Sequence, residues 1–309
     1  NKKKNITYER IGFGKLTKNS LQTPKKISIP VAKNDNEVYS IEFSCAGDSP
    51  LAYLLIGAPG TGKSSLIDSM IINGAMTYSP DDVIFYLLDF KDGMLSKPYE
   101  GENAIPHVRL IAAENKEEDA AILLNNIRIE KERRNALFNS LGSDIKTIAH
   151  YNKKSDKKLP RIIVAIDECY PIFSNAELSK DTEELIRQVR STGIHFVLAS
   201  QDLKKMSNVL KFIDGRFCYY VEKEDAREMI DDKYAKLVSS EIPKGSHKAY
   251  ASSDFGKNCT IIHPAYHCDK SSYYNKLIRE KWMPLGYENE MIVVGEKSSL
   301  YIEEAIKKG

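Results

Sequence analysis

Short apolar runs alternate with longer stretches of helical length through the middle of the chain. The runs have the length of buried strands and cover residues 51–56, 83–88, 108–112, 162–166 and 196–199. The helical stretches between them cover residues 64–77, 116–141 and 178–192. Buried strands that alternate with helices are typical of a parallel sheet covered on both faces. The pattern therefore predicts an α/β fold with a mainly parallel sheet flanked by helices.

Both ends of the chain differ from this middle part. Residues 1–50 are polar and broken by prolines and glycines, and alternating patches at 27–29 and 38–43 predict short antiparallel strands. Beyond residue 216 the pattern is mixed, with weaker candidate strands at 217–221, 248–251, 260–262 and 291–294. We therefore expect a β-rich leader over 1–50 that packs on a main domain over 51–284. A tail over 285–309 is expected to begin a following module.

The charge balance is nearly neutral, with 45 basic and 43 acidic side chains and a net charge of +2. It excludes a surface that coats nucleic acid with positive charge, but it leaves room for a local basic track. The longest apolar runs are too short to cross a bilayer, and the five cysteines form no CxxC pair, which indicates reduced thiols. Because residue 1 is Asn and no secretory signal is visible, we expect a piece of a longer cytoplasmic protein.

One segment matches the phosphate-binding pattern GxxxxGK[ST] at every position. It follows an apolar strand, precedes an apolar-periodic helix, and consists of Gly57, Ala58, Pro59, Gly60, Thr61, Gly62, Lys63 and Ser64, with Ser65 next. Glycines let such a loop turn its N–H groups onto phosphate oxygens, and the helix N-terminus adds its positive end. Lys63 is expected to reach the β- and γ-phosphates of ATP, and the Ser64 hydroxyl to bind Mg²⁺.

Two carboxylates directly follow the apolar run at 162–166. Asp167 and Glu168 are expected at the carboxyl edge of the sheet beside the phosphate loop, where Asp167 holds Mg²⁺ through water and Glu168 acts as the general base for water. A further strand ends at Gln201, which is expected to sense the γ-phosphate or to position water. An ordinary strand-end cap is the alternative role for Gln201.

The strand predicted at 83–88 falls between the phosphate loop and the acid pair along the chain. Together with the Glu after the Asp, it favours the additional-strand group of hydrolysing ATPases over small kinases. A GTPase is disfavoured because the segment 152–155 resembles the guanine-reading NKxD motif but has Ser where Asp is required. Cys259, His263, His267 and Cys268 lack the paired spacing of zinc sites, so a structural role is favoured for them.

The order of these motifs resembles the FtsK/SpoIIIE family of ring-forming ATPases over about residues 50–255. The resemblance is carried by the phosphate loop, the Asp-Glu strand, and the segments 87–93, 105–108, 130–134 with Tyr151, 193–201, 225–230 and 243–246. It implies a RecA-like P-loop fold, hydrolysis of ATP with Mg²⁺, and a homo-oligomeric ring, commonly a hexamer, in which a neighbour completes each active site. The trans arginine of that neighbour has four candidates by position, Arg133, Arg134, Arg216 and Arg227.

The cargo of the implied motor stays open in the sequence. Chromosome-segregating members usually follow the sensor glutamine with Arg-Pro, whereas this chain has Asp202 and Leu203. Our first hypothesis is a translocase of double-stranded DNA, and the second is an ATPase of a type VII-like secretion machine that handles protein substrates. A third is an assembly module that binds nucleotide without hydrolysis, which the intact Glu168 disfavours. Any tether to the inner face of the cell membrane would lie in segments absent from this chain.

Overall fold

The strands of the fold are given by a computed structural model that describes residues 25–34, 37–91, 93–112, 117–266 and 271–294. In chain order they are β1 (Lys26–Asn34), β2 (Glu37–Ser44), β3 (Ala52–Ile56), β4 (Val83–Asp89), β5 (Val108–Ala112), β6 (Arg161–Asp167), β7 (Ile194–Ser200), β8 (Gly215–Cys218), β9 (Ala249–Ser252), β10 (Thr260–Pro264) and β11 (Ile292–Val294). They form one sheet in the order β11-β5-β4-β6-β7-β3-β8-β9-β10-β1-β2.

Helices cover both faces of this sheet. They are α1 (Lys63–Thr77), α2 (Glu117–Leu141), α3 (Ile148–Lys154), α4 (Tyr170–Ser174), α5 (Ala176–Gln188), α6 (Lys223–Met229), α7 (Asp232–Ala235), α8 (Val238–Glu241) and α9 (Ser271–Trp282). Successive strand residues face opposite sides: Leu54 packs with α2 and α5, whereas Leu55 packs with α1 and α9. The predicted α/β class with helices on both faces is therefore confirmed.

Seven strands, from β11 to β8 in sheet order, run parallel, and the rest are antiparallel. Because the parallel strands are in register, their carboxyl ends meet at one edge: Asp89 is level with Asp167, and Ile56 is level with Ser200. This edge therefore collects the ends of β3, β6 and β7, which the sequence singled out as chemically important, together with the end of β4.

The strand that separates the phosphate loop from the acid pair is β7 in space, not the strand at 83–88. In the sheet, β7 lies between β3 and β6, and β4 lies on the far side of β6. Order along the chain does not set order in a doubly wound sheet, because crossover helices let the chain skip positions. The additional strand of this fold is thus the one that carries Gln201 at its end.

The two ends of the described chain add to the same sheet. β1 pairs with β2 as predicted and also with β10, and β11 pairs in parallel with β5. Helix α1 is tied to β1 and to α9, since Asn73 donates to the Pro30 carbonyl at 2.6 Å and Trp282 of α9 donates to the Ala75 carbonyl at 2.7 Å. The helix that begins at the phosphate loop is therefore fixed at two residues of its second half.

Some expectations fall on residues that the structure does not describe. Residues 1–24 of the leader, 295–309 of the tail, and His267 and Cys268 of the cysteine–histidine set are among them. The module expected after the tail and the proposed division into domains stay predictions. Among the described residues, no helix combines the length and the apolarity that a membrane span requires.

Candidate nucleotide site

The phosphate loop between β3 and α1 has a backbone that requires glycine. A Cβ on Gly57 would lie 2.6 Å from Thr61 Oγ1 and 2.7 Å from Tyr219 Cβ, which is too close for any side chain. Gly60 and Gly62 have φ values of 75° and 108°, in the left-handed region that other residues rarely adopt. The loop is tied to its own start, because Thr61 Oγ1 donates to the Ala58 carbonyl at 2.8 Å. Its shape is therefore fixed before any ligand binds.

Lys63 crosses the inside of this loop. Its side chain is only 4% exposed, and its ammonium group donates to the carbonyls of Gly57 at 2.5 Å and Ala58 at 3.3 Å. Burial, with a smaller contribution from the positive charge of Lys91, lowers the pKa of Lys63 to about 8. The charges of Asp167 and Glu168 offset this effect only in part, and the hydrogen bonds of the ammonium group go to neutral carbonyls, so an anion inside the loop would be favoured here.

Ser64 meets the acid pair at the first turn of α1. Its hydroxyl donates to Asp167 Oδ2 at 2.5 Å, although β7 separates their strands in the sheet. A hydroxyl and a carboxylate are the hard oxygen donors that Mg²⁺ prefers, and Mg²⁺ usually takes few protein ligands beside phosphate and water. The described residues contain no cluster of three or more His, Cys, Asp or Glu that could hold a metal ion. The donors present therefore fit a Mg²⁺ ion that is shared with a phosphate chain.

Glu168 pairs with Gln201, whereas Asp167 accepts from Ser64. The φ of Glu168 is 57°, an uncommon value for a residue other than glycine, and such strain is concentrated at functional sites. Glu168 Oε2 accepts from the Gln201 side-chain amide at 2.6 Å, and Oε1 accepts from the Gln201 backbone N–H at 3.3 Å. The structure thus brings together the residues predicted as base and sensor, and aims the two adjacent acids at different partners.

Asp89 and Lys91 are two residues of the site to which the sequence assigned no role. Asp89 is 1% exposed and accepts from the backbone N–H groups of Lys91, Leu95 and Ser96, at 2.7, 2.6 and 3.2 Å. Burial and the neighbouring charge of Asp167 raise the pKa of Asp89. Asp89 therefore shapes the loop after β4, from which the positive charge of Lys91 acts on Lys63. The signal in the sequence that could have identified Asp89 is the apolar run at 83–88, which ends at this carboxylate just as the run at 162–166 ends at Asp167.

The four candidate trans arginines differ in what their guanidinium groups contact. Arg134 is 1% exposed and donates to Glu130 and to the carbonyls of Pro160 and Thr192. Arg216 is 8% exposed and donates to four backbone carbonyls of its own chain. Both groups are used inside the chain and are not presented to a neighbour. Arg133 and Arg227 are partly exposed and pair with Glu130 and Asp232, so the candidates narrow to these two.

Removing the Arg134 guanidinium is expected to destabilise the fold. We expect Arg134→Met to lower the free energy of unfolding by about 3 kcal/mol, since it removes the donor to one buried and one partly buried carbonyl and weakens the pairing of buried Glu130. The matched control is Arg133→Met, which removes a half-exposed guanidinium from the same Glu130 and should cost about 1 kcal/mol or less. Urea unfolding measures both, and equal losses would contradict the structural role of Arg134.

Comparison with known proteins identifies the family to which this site belongs. The model of the FtsK/SpoIIIE family matches residues 24–253, which includes the phosphate loop, the acid pair and Gln201. The chain belongs to the FtsK/SpoIIIE family. The resemblance read from the motifs is therefore confirmed, and the domain is an ATPase motor domain of the FtsK/SpoIIIE type.

Relatives of known name fall into two groups. The DNA translocase FtsK of Streptococcus pyogenes serotype M3 is 31% identical over 253 residues, which cover 76% of this chain and 30% of that protein. The ESX secretion system protein EccC of Geobacillus thermodenitrificans is 25% identical over 224 residues, which cover 68% of this chain and 14% of that protein. The chain thus spans less than a third of the length of either relative.

Solved structures support the fold. The ATPase 2 and 3 domains of EssC from Geobacillus thermodenitrificans align with a TM-score of 0.68 at 16% identity, over 92% of this chain and 54% of that one. The pCW3 conjugation coupling protein TcpA aligns with a TM-score of 0.59 at 20% identity, over 84% of this chain and 71% of that one. At these identities the likeness shows a shared P-loop ATPase fold.

Proposed function

We propose that this chain hydrolyses ATP and couples the reaction to movement of double-stranded DNA. The observation that carries the hydrolytic part is the contact of Ser64 with Asp167, with Glu168 and Gln201 paired beside it. A nucleotide-binding module without turnover has no need for a base held at the same edge as the phosphate loop. This geometry favours hydrolysis over the third hypothesis.

The roles of the residues follow from their positions. The loop over 57–62 would bind the β-phosphate through its N–H groups, with Lys63 reaching between the β- and γ-phosphates and Ser65 following in the first turn of α1. Mg²⁺, held by Ser64 and through water by Asp167, would neutralise charge on the phosphate oxygens. Glu168 would accept the proton of the attacking water, and Gln201 would orient that water or the base.

Hydrolysis is best completed in a ring, because a neighbour can then supply a further positive charge. We propose a homo-oligomer, with a hexamer as the expected size, on the cytoplasmic side where ATP is available. Of the four candidate trans arginines, Arg133 and Arg227 are proposed to reach a neighbouring site, since their guanidinium groups are partly exposed. A trans cation of this kind stabilises charge that develops on the transferred phosphoryl group.

DNA is favoured as cargo by a basic loop that begins at Gln201. Lys204 and Lys205 are exposed between Leu203 and Met206, which are buried and anchor the loop. Lys204 pairs with Asp202 at the surface, and Lys205 has a φ of 64°. A DNA phosphate bound by these lysines would lie close in the chain to Gln201, the hydrogen-bond partner of Glu168. The 31% identity to a DNA translocase over 76% of the chain also supports this cargo.

Stimulation by duplex DNA tests the cargo. We expect the ATPase rate to rise severalfold with linear duplex DNA at low salt. This stimulation should fall steeply as the salt concentration increases, because each lysine–phosphate contact releases a counterion from the DNA and that release becomes less favourable in salt. The substitution of Lys204 and Lys205 by Glu should lower the DNA-stimulated rate. The matched control is the double substitution of Lys153 and Lys154 by Glu, a change of equal charge at the exposed end of α3.

The second candidate function is the handling of secreted proteins, which the EccC relative favours. An ATPase that turns over but is indifferent to duplex DNA at low salt would exclude the DNA proposal and leave this candidate. The absence of any turnover with Mg²⁺ and ATP would contradict the hydrolytic part in both cases. The single assay therefore separates motor activity from the identity of the cargo.

A further inference from the structure

The position of the phosphate loop within the sheet sets the direction in which a bound nucleotide must extend. The strand β3, which leads into the loop, has β7 on one side and β8 on the other. The side of β3 that faces β7 and β6 carries the polar residues at the strand ends, namely Asp167, Glu168 and Gln201. A γ-phosphate would therefore lie on this side. The ribose and base of the same nucleotide must then extend away from that side, toward the residues that follow β8 and precede β9.

Two rings stand at the loop on this β8 side. Tyr219 is fully buried beneath the loop, where its Cβ lies 2.7 Å from the Cβ position of Gly57 and its hydroxyl donates to the Gly62 carbonyl at 3.4 Å. His247 is exposed, and its Nδ1 lies 3.7 Å from the Cβ position of Gly62. Tyr219 therefore supports the loop from inside the fold, and His247 is the ring on its open face.

The segment before β9 holds His247 at this place. Ser246 donates its N–H to the Pro243 carbonyl at 2.9 Å, and Lys248 donates its N–H to Ser246 Oγ at 3.3 Å. Directly after it, β9 pairs with β8, with Tyr250 opposite Cys218. His247 has a φ of 54°, which is uncommon for a residue other than glycine and marks a backbone fixed by its surroundings.

We propose that His247 is a base-binding residue that stacks its imidazole ring on the purine of the bound nucleoside triphosphate. The ring is exposed, lies against the first residue before α1, and stands on the side to which the base must extend. Aromatic side chains bind bases through their faces, a contact that every purine offers. This inference rests on the proposed ATP site, because it assumes that a triphosphate occupies the loop.

The experiment compares ATP with inorganic tripolyphosphate, which has the phosphates but no ribose or base. We expect His247→Asn to weaken ATP binding about tenfold, which corresponds to the lower part of the range for one base–aromatic stack. Asn tolerates left-handed backbone, so the loop should keep its shape. Tripolyphosphate binding should be unchanged. His247→Phe keeps a ring and should bind ATP within about twofold of the parent chain.

The matched control is Lys244→Ala, which changes an exposed residue of the same segment and should leave the binding of both ligands unchanged. Isothermal titration with Mg²⁺ measures all of these affinities. Equal weakening of ATP and tripolyphosphate in His247→Asn would show a phosphate contact and overturn the base assignment. Unchanged ATP binding would overturn it as well. If the parent chain binds neither ligand, the proposed ATP site itself is wrong, which is a different result from either of these.

Discussion

Glu168→Gln is expected to bind ATP as tightly as the parent chain and to hydrolyse it at least about 100 times more slowly. General bases contribute roughly 10²–10⁴-fold to such rates, and an amide cannot accept the proton of the attacking water. The substitution preserves the size of the side chain, and its carbonyl oxygen can still accept from the Gln201 amide, as Glu168 does at 2.6 Å. The loss should therefore be confined to turnover.

Single-turnover hydrolysis and equilibrium binding of ATP, each with Mg²⁺, measure these two properties separately. The control is Glu184→Gln, the same chemical change on the exposed face of α5, which should leave both properties as they are. Normal turnover in Glu168→Gln would show that another group takes the proton. Loss of ATP binding would instead show that Glu168 supports the loop rather than the chemistry.

The parts of the site that depend on local sequence could be predicted from it. The loop over 57–62 needs glycine at fixed positions of its motif. The strands before Asp167 and Gln201 are visible in the sequence as apolar runs that stop at polar residues. Both kinds of signal lie within a few residues of the side chain they describe. The mainly parallel sheet followed from the same alternation of runs and helices.

Other parts depend on how distant segments pack, and the sequence did not reveal them. The order of β3, β7 and β6 in the sheet is set by crossovers that leave no local trace. Arg134 and Arg216 stayed candidates for the trans arginine, because a guanidinium is buried only when partners from elsewhere in the chain accept its hydrogen bonds, and the sequence does not show those partners. His247 reached the phosphate loop only through the pairing of β9 with β8.

The contact of Glu168 with Gln201 depends both on local sequence and on the packing of distant segments. Each residue was predicted by itself, as base and as sensor, but their mutual hydrogen bonds follow from adjacent strands in parallel register. The basic segment at 204–205 begins three residues after Gln201, the partner of the base. In the proposed motor, DNA bound to this segment would therefore lie only a few residues from the group that hydrolyses ATP.

Lys63→Ala is expected to lose nearly all binding of nucleotide, with affinity for ATP reduced about 100-fold or more. The ammonium group would make charge-assisted hydrogen bonds to phosphate, and because Lys63 is only 4% exposed, such contacts would be little weakened by water. Lys63→Arg should not restore binding, because the guanidinium group is larger than the ammonium group that now fills the loop between the Gly57 and Ala58 carbonyls.

Lys63→Ala should still fold, so that its loss of ATP affinity can be assigned to the missing ammonium group. Without nucleotide the buried ammonium is poorly neutralised, and burial lowers its pKa to about 8, so removing it should change the free energy of unfolding by about 1 kcal/mol or less. With Mg²⁺ and ATP at roughly 100 times the dissociation constant, the parent chain gains about 2.7 kcal/mol of stability, and the variant should gain far less. Thermal unfolding with and without ATP measures this difference. An equal gain in both chains would contradict the assignment of Lys63 to the phosphates, whereas unfolding of the variant without ATP would show that the lysine is structural.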